Sequence, residues 1–112
     1  MKGVKELIKL VTAVCAQDGI ISQIEIETAF KLIKKIDTKL SKKDFDLCIE
    51  EFFDEEKNIE KYLIAMPENL DSDLVISICL QSAQSDGLEI RENFAFDKIC
   101  KFWGKSRASF IK

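Results

Sequence analysis

Apolar residues recur at intervals of three and four along nearly the whole chain, and this spacing restricts its fold more than any other feature. Such spacing places apolar side chains on one face of an α-helix, whereas a half-buried strand alternates every second residue. Helix breakers are scarce, with four glycines and one proline, Pro67, in 112 residues. The sequence therefore predicts an all-α fold, a compact bundle of six to seven helices in one domain over residues 1–112.

Polar and glycine residues mark the ends of the predicted helices. Ser22 and Glu25 form a capping box, in which each side chain accepts from the other residue's backbone amide. Gly19 tolerates the left-handed conformation that ends helices, and Gly104 is suited to the same role. The predicted helices cover residues 4–17, 22–36, 41–54, 58–66, 71–85 and 89–103, with a last turn in 106–112.

One helix is predicted to occupy the centre of the bundle. Residues 74–80 are apolar at all but one position, which taken alone would also fit a buried strand. The helical neighbours and the continuation through Ala83 favour a helix that the others surround. We therefore expect the fifth helix to be the central one.

The segment AQDGIISQIEIE, residues 16–27, looks like the second half of an EF-hand calcium loop. If Glu25 were the closing ligand, the first and third ligand positions would fall on Val14 and Ala16, whose side chains carry no oxygen. A similar segment near the other end places Asn93 at the closing position. An EF-hand is therefore excluded in both places.

The two segments nevertheless predict an internal repeat. Ala16-Gln17-Asp18-Gly19 is matched by Ala83-Gln84-Ser85-Asp86-Gly87, and an early glutamate follows each, Glu25 and Glu92. Apolar residues then stand at +4, +8 and +11 from each glutamate. This shared helical phase predicts an internal repeat of two helix-Asp-Gly-helix units, approximately residues 4–37 and 71–104.

The two Asp-Gly junctions and the pair Ser22 and Glu25 occur together with Ser41 at the start of a middle helix and Trp103-Gly104-Lys105-Ser106 at the end. The order of these features resembles the tellurite-resistance TerB-like family, which includes the N-terminal TerB-like domain of DjlA-type co-chaperones. The resemblance covers almost the whole chain. It implies a pseudo-twofold helical bundle, an acidic cluster at the two junctions that binds a metal ion, and a role in tellurite or other stress responses beside membrane or chaperone partners.

Two hypotheses account for the acidic residues at the junctions. Pooled across the axis, four carboxylates would suit calcium, magnesium or manganese; they are Asp18, Glu25, Asp86 and Glu92, with Glu89 as a further candidate. Alternatively, each caps the helix beside it by accepting from free backbone amides. Asp18 and Glu25 are seven residues apart but Asp86 and Glu92 only six, which argues against a symmetric site.

Lysines crowd the second helix and its exit. Four of them are predicted to form an interaction surface: Lys31, Lys34, Lys35 and Lys39. This surface would bind a protein partner or, as a peripheral contact, an anionic membrane. The alternative is that these lysines only form the solvent-exposed face of the helix. Nucleic acid is disfavoured because the net charge is −3 and only two cations are arginines.

The composition argues against an enzyme. There is no histidine, so Ser-His and Cys-His nucleophiles and di-iron histidine sites are excluded. The four cysteines stand far apart in apolar stretches, which predicts buried reduced thiols rather than zinc ligands.

No apolar run is long enough to span a membrane, and we expect a cytoplasmic, non-enzymatic domain. The oligomeric state does not follow from these features.

Overall fold

The computed structural model of the protein describes residues 3–16, 19–55, 58–68, 70–85 and 94–110. Within these ranges every regular element is helical, and the radius of gyration of 12.7 Å is that of a compact chain. The predicted all-α bundle is therefore confirmed. The elements are α1 (Val4–Cys15), α2 (Gln23–Ile36), α3 (Lys42–Asp54), α4 (Ile59–Ile64), α5 (Ser72–Gln84), α6 (Phe94–Phe102) and a 3-10 turn, Arg107–Ser109.

The centre of the bundle is α1. Residues 7–15 are all buried, and α1 packs against each of the other five α-helices. The expectation that α5 is the central helix is wrong, because α5 leaves Leu74 and Gln81 exposed. The burial of α1 is hard to predict from the sequence because this helix contains two polar residues, Lys9 and Thr12. The Thr12 hydroxyl donates to the carbonyl of Ile8 at 2.7 Å, so its burial leaves no hydrogen bond unmade.

Side-chain caps begin four of the helices in the places that the sequence predicts or allows. The Ser22 Oγ accepts from the amide of Glu25, and the Ser41 Oγ accepts from the amide of Asp44, each at 3.1 Å. Side chains at the starts of α4 and α5 make equivalent bonds. These bonds satisfy amides that have no partner within the helix, so they fix where each helix begins.

Two glycines hold left-handed backbone conformations where helices end. Gly19 has φ 87° at the junction between α1 and α2, and Gly104 has φ 65° after α6. Other residues avoid this conformation because their Cβ atom crowds the backbone. Gly104 ends α6 as predicted, whereas α1 ends at Cys15 with Ala16 as its cap, so Gly19 lies beyond the end of that helix.

The two halves of the chain bury equivalent positions. Ala29 and Ile33 of α2 are buried, as are Phe96 and Cys100 of α6, which stand at the same offsets from Glu25 and Glu92. In addition, α1 and α5 pack together, and each contacts both α2 and α6. These burials agree with the shared helical phase, and the internal repeat stays a prediction. The twofold relation stays a prediction, because the second junction, residues 86–93, lies outside the described residues.

Candidate functional site

The described part of the predicted metal site is Glu25. Its side chain is 3% exposed, and its Oε1 accepts from the amide of Ser22 at 2.9 Å. Together with the reciprocal bond from Ser22, this completes the predicted capping box. Asp18, Asp86, Glu89 and Glu92 lie outside the described residues, and the described ones contain no acidic, histidine or cysteine group of three or more that could hold a metal ion. The shared cation site stays a prediction.

A second polar cluster, absent from the sequence predictions, joins α1, α3 and α4. Lys9 is 8% exposed, and its Nζ lies 3.2 Å from Glu51 Oε2 and 3.0 Å from Glu55 Oε2. The buried Tyr62 hydroxyl donates to Glu55 Oε1 at 2.6 Å, and Lys5 pairs with Glu51 at 3.1 Å. We call Lys5, Lys9, Glu51, Glu55 and Tyr62 the charged seam. It links three helices through side chains alone.

Four groups of the charged seam, Lys9, Glu51, Glu55 and Tyr62, have pKa values shifted so that their usual charge state is stabilised. The Tyr62 hydrogen bond, then Lys9, lower the pKa of Glu55, while Lys5, then Lys9, lower the pKa of Glu51. Burial disfavours the charge on Lys9, but the two carboxylates outweigh it and raise its pKa. Burial, aided by Glu55, also raises the pKa of Tyr62. None of these four pKa values is moved toward neutral pH, and the contacts of the seam link α1 to α3 and α4.

One sequence signal for the charged seam exists. Lys9 interrupts an otherwise apolar run between Ile8 and Leu10, and Glu51, in the last turn of α3, stands four residues before Glu55, which caps the end of that helix. A lysine flanked by apolar residues must find a carboxylate if it is buried. Which carboxylate it finds depends on how α1 and α3 pack, which spacing along the chain does not show.

The predicted lysine surface is largely exposed, with one exception. Lys31, Lys35 and Lys39 are exposed, whereas Lys34 is half-buried and its Nζ donates to the carbonyl of Leu40. That bond ties the end of α2 to the turn before α3 and makes Lys34 the least exposed of the four lysines, whose shared interaction surface stays a prediction. Lys43, at the start of α3, is exposed as well. We call Lys31, Lys35, Lys39 and Lys43 the lysine corner.

Ion pairing divides the lysines by location. Outside the lysine corner, six of the eight described lysines have a carboxylate partner, but no residue of the corner makes an ion pair within the described ranges. The only described lysines outside the corner without such a partner are Lys34 and Lys61. The paired lysines are Lys5, Lys9, Lys42, Lys98, Lys101 and Lys105.

The four cysteines are all buried and none forms a disulfide. Burial raises the pKa of the Cys48 and Cys79 thiols, which disfavours the reactive thiolate. The prediction that they act as small apolar core residues is confirmed.

A cavity of about 350 Å³ opens between α1, α3, α4 and α6. Its walls are apolar where Ala13, Ala16 and Ile59 line it, and charged at Glu60 and Lys98. Since the charged residues form an ion pair with each other at 2.8 Å, the cavity has no unpaired charge on those two side chains. The lining is therefore mixed, with apolar side chains beside Asn58 and an internally paired Glu60 and Lys98.

Comparisons with protein-family models, curated protein sequences and solved structures found no match to this chain. The TerB-like resemblance therefore rests on the order of sequence features. No helix in the described ranges has the length and apolar character needed to cross a membrane.

Proposed function

We propose that this protein is a non-enzymatic helical interaction module whose lysine corner binds an acidic segment of a partner protein. The observation that carries the proposal is the distribution of ion pairs. Lysines of the corner lack carboxylate partners among the described residues, whereas most other described lysines have one. Their charge is therefore available to a partner.

The fold gains little from this concentration of charge. Lys35 lies in the last turn of α2, where the helix dipole favours a cation, but Lys43 lies in the first turn of α3, where the dipole disfavours one. Lys31 and Lys35 are four residues apart on one helix and repel each other. An acidic partner would relieve this repulsion, and charge complementarity would speed its association.

The charge and residue type favour a protein over nucleic acid. The chain is acidic as a whole and has few arginines, the residue best suited to paired hydrogen bonds with phosphate. An acidic peptide needs only point charges, which lysines supply. The resemblance to TerB-like domains supports a setting in stress responses, and that setting belongs to the same proposal.

Binding of a fluorescent peptide rich in Glu and Asp tests the proposal, with fluorescence anisotropy as the readout. The double variant Lys31→Glu, Lys35→Glu should weaken binding by at least about tenfold, which corresponds to about 1.4 kcal/mol. Lys61→Glu combined with Lys101→Glu is the matched control, because it changes net charge equally at a different surface. The control should bind nearly as well as the unmodified protein.

Equal losses in both double variants would show that only net charge matters, which contradicts a specific corner. Binding to phosphatidylserine vesicles without binding to the peptide would assign the corner to a membrane surface instead. Addition of salt should weaken peptide binding, since the contacts are exposed charge pairs.

A further inference from the structure

Three large apolar side chains are exposed on the face formed by α4 and α6. Phe94 is 83% exposed, Ile64 74% and Phe102 44%. Phe94, Lys98 and Phe102 follow one another at intervals of four, so they form a single stripe along α6. Glu60 and Ile64 form a similar pair on α4. Clusters of this kind on a surface are typical of interaction sites.

An ion pair joins the two stripes. Lys98 Nζ lies 2.8 Å from Glu60 Oε1, and each exposed apolar residue is four positions from one of these two residues. Four positions along a helix correspond to about 6 Å. Phe94, Phe102 and Ile64 therefore surround the ion pair, and we call these five residues the α4–α6 face.

The cavity described above opens at this face, since Glu60 and Lys98 line it. Its volume is about 350 Å³. An apolar cavity of about 150 Å³ is large enough to hold benzene, so this one can admit a phenyl ring. The face thus presents an exposed phenyl ring and, beside it, a cavity that can hold one.

We propose that the α4–α6 face is the contact surface of a homodimer, in which Phe94 of each copy enters the cavity of the other. A twofold axis perpendicular to the ion pair would set the two Glu60–Lys98 pairs antiparallel, so that each ammonium faces a carboxylate of the second copy. Dimer interfaces of this symmetry must be self-complementary, and this face carries both signs of charge, an anchor and its cavity. The lysine corner carries one sign only and would repel a second copy.

Sedimentation velocity over a range of protein concentrations tests the proposal. The protein should show a concentration-dependent dimer, and Phe94→Asp should raise the dimer dissociation constant at least about thirtyfold, as expected for a buried aromatic anchor. Ile24→Asp is the matched control. It also replaces an exposed apolar residue in the first turn of a helix, where an aspartate suits the dipole. This control should dimerise normally.

A mixing experiment separates contacts between copies from the ion pair within one copy. Lys98→Glu leaves two carboxylates on each face and Glu60→Lys leaves two ammonium groups, so each variant alone should be monomeric. Mixed in equal amounts, the two variants have complementary faces and should form a heterodimer. Circular dichroism of each variant establishes that the helical fold is retained.

Three results would overturn the homodimer. The first is an unmodified protein that stays monomeric at all concentrations, which would leave the face to a different partner. The second is a dimer that Phe94→Asp does not weaken. The third is a mixture of the two charge variants that stays monomeric, because the loss would then arise within each copy.

Discussion

The charged seam and the lysine corner use the same residue type under opposite conditions. Lys9 is buried and lies within 3.2 Å of two carboxylates, whereas Lys31 and Lys35 are exposed and have no ion-pair partner in the described ranges. In the sequence, the lysines of the corner form the conspicuous cluster and Lys9 is a single interruption. Burial and pairing, rather than local density, separate lysines that hold the fold from lysines that are free to bind.

The difference also predicts how each region tolerates substitution. Removing a buried ammonium that pairs with two carboxylates destabilises the fold, because the carboxylates are left without an opposite charge. An exposed lysine has water as an equivalent partner, so its removal hardly changes the folded state. Loss of Lys9 should therefore lower the stability of the fold, whereas loss of a lysine of the corner should weaken binding and leave stability nearly unchanged.

The largest expected effect is that of Lys9→Met. Methionine preserves the length of the apolar stem, so the substitution chiefly removes the charge. Breaking a fully buried pair costs about 3–5 kcal/mol. Because Glu51 and Glu55 are partly exposed to water, we expect the free energy of unfolding to fall by about 2 kcal/mol. Urea unfolding followed by circular dichroism measures it.

Lys35→Met is the matched control for this prediction. Its side chain is exposed, and we expect the free energy of unfolding to change by no more than about 0.5 kcal/mol. Similar losses in the two variants would remove the distinction between the seam and the corner. A stabilised Lys9→Met would mean that the ammonium is more costly to bury than its ion pairs repay.

Features set by neighbouring residues could be predicted from the sequence. The capping box of Ser22 and Glu25 and the left-handed Gly19 depend on contacts within a few positions, and the structure confirms them. The positions that the helices bury also follow from spacing along the chain. These local patterns were sufficient for the fold class.

Features that require two helices to meet could not be predicted. In the sequence, Lys9 only interrupts an apolar stripe. Its partners Glu51 and Glu55, together with Tyr62, come close to it only in the packed bundle. Lys34 looks like one more surface cation until the carbonyl of Leu40 lies beside it. In both cases the partner is set by packing or by the path of a turn, so the role of each lysine is a property of the assembled bundle.

The comparison extends to carboxylates, where we expect a medium effect at the first junction. Ser22→Ala should lower the free energy of unfolding by about 1 kcal/mol, because the Glu25 amide loses its acceptor. Thermal unfolding measures the change. If Glu25 acts only as a helix cap, then calcium, magnesium and manganese should leave the melting temperature unchanged.

A bound cation would give a different result. It would stabilise the folded state by about 2.7 kcal/mol at a concentration one hundred times its dissociation constant. Such a gain, if Asp18→Asn or Asp86→Asn removed it, would contradict capping alone and establish the shared cation site. The Lys35→Met variant keeps all four acidic residues and serves as the control in the titration.

The smallest expected effect is on the acid side of the stability curve. Glu51 and Glu55 have pKa values below their ordinary 4.5 in the folded protein, so the unfolded chain takes up protons first as the pH falls. The stability that the charged seam supplies is therefore complete above about pH 5 and is lost as the pH falls through the folded pKa values. Urea unfolding at several pH values between about 6 and 3 gives the slope.

Lys9→Met should make that slope shallower without abolishing it, because Glu55 keeps its hydrogen bond from Tyr62 and Glu51 keeps Lys5. Lys35→Met should leave the slope unchanged, since the described structure gives its ammonium no carboxylate partner. Parallel acid slopes in all three proteins would show that the seam carboxylates titrate independently of Lys9. The contrast between the two lysine regions would then rest on burial alone, and the ion pairs of the seam would be a consequence of packing rather than a source of stability.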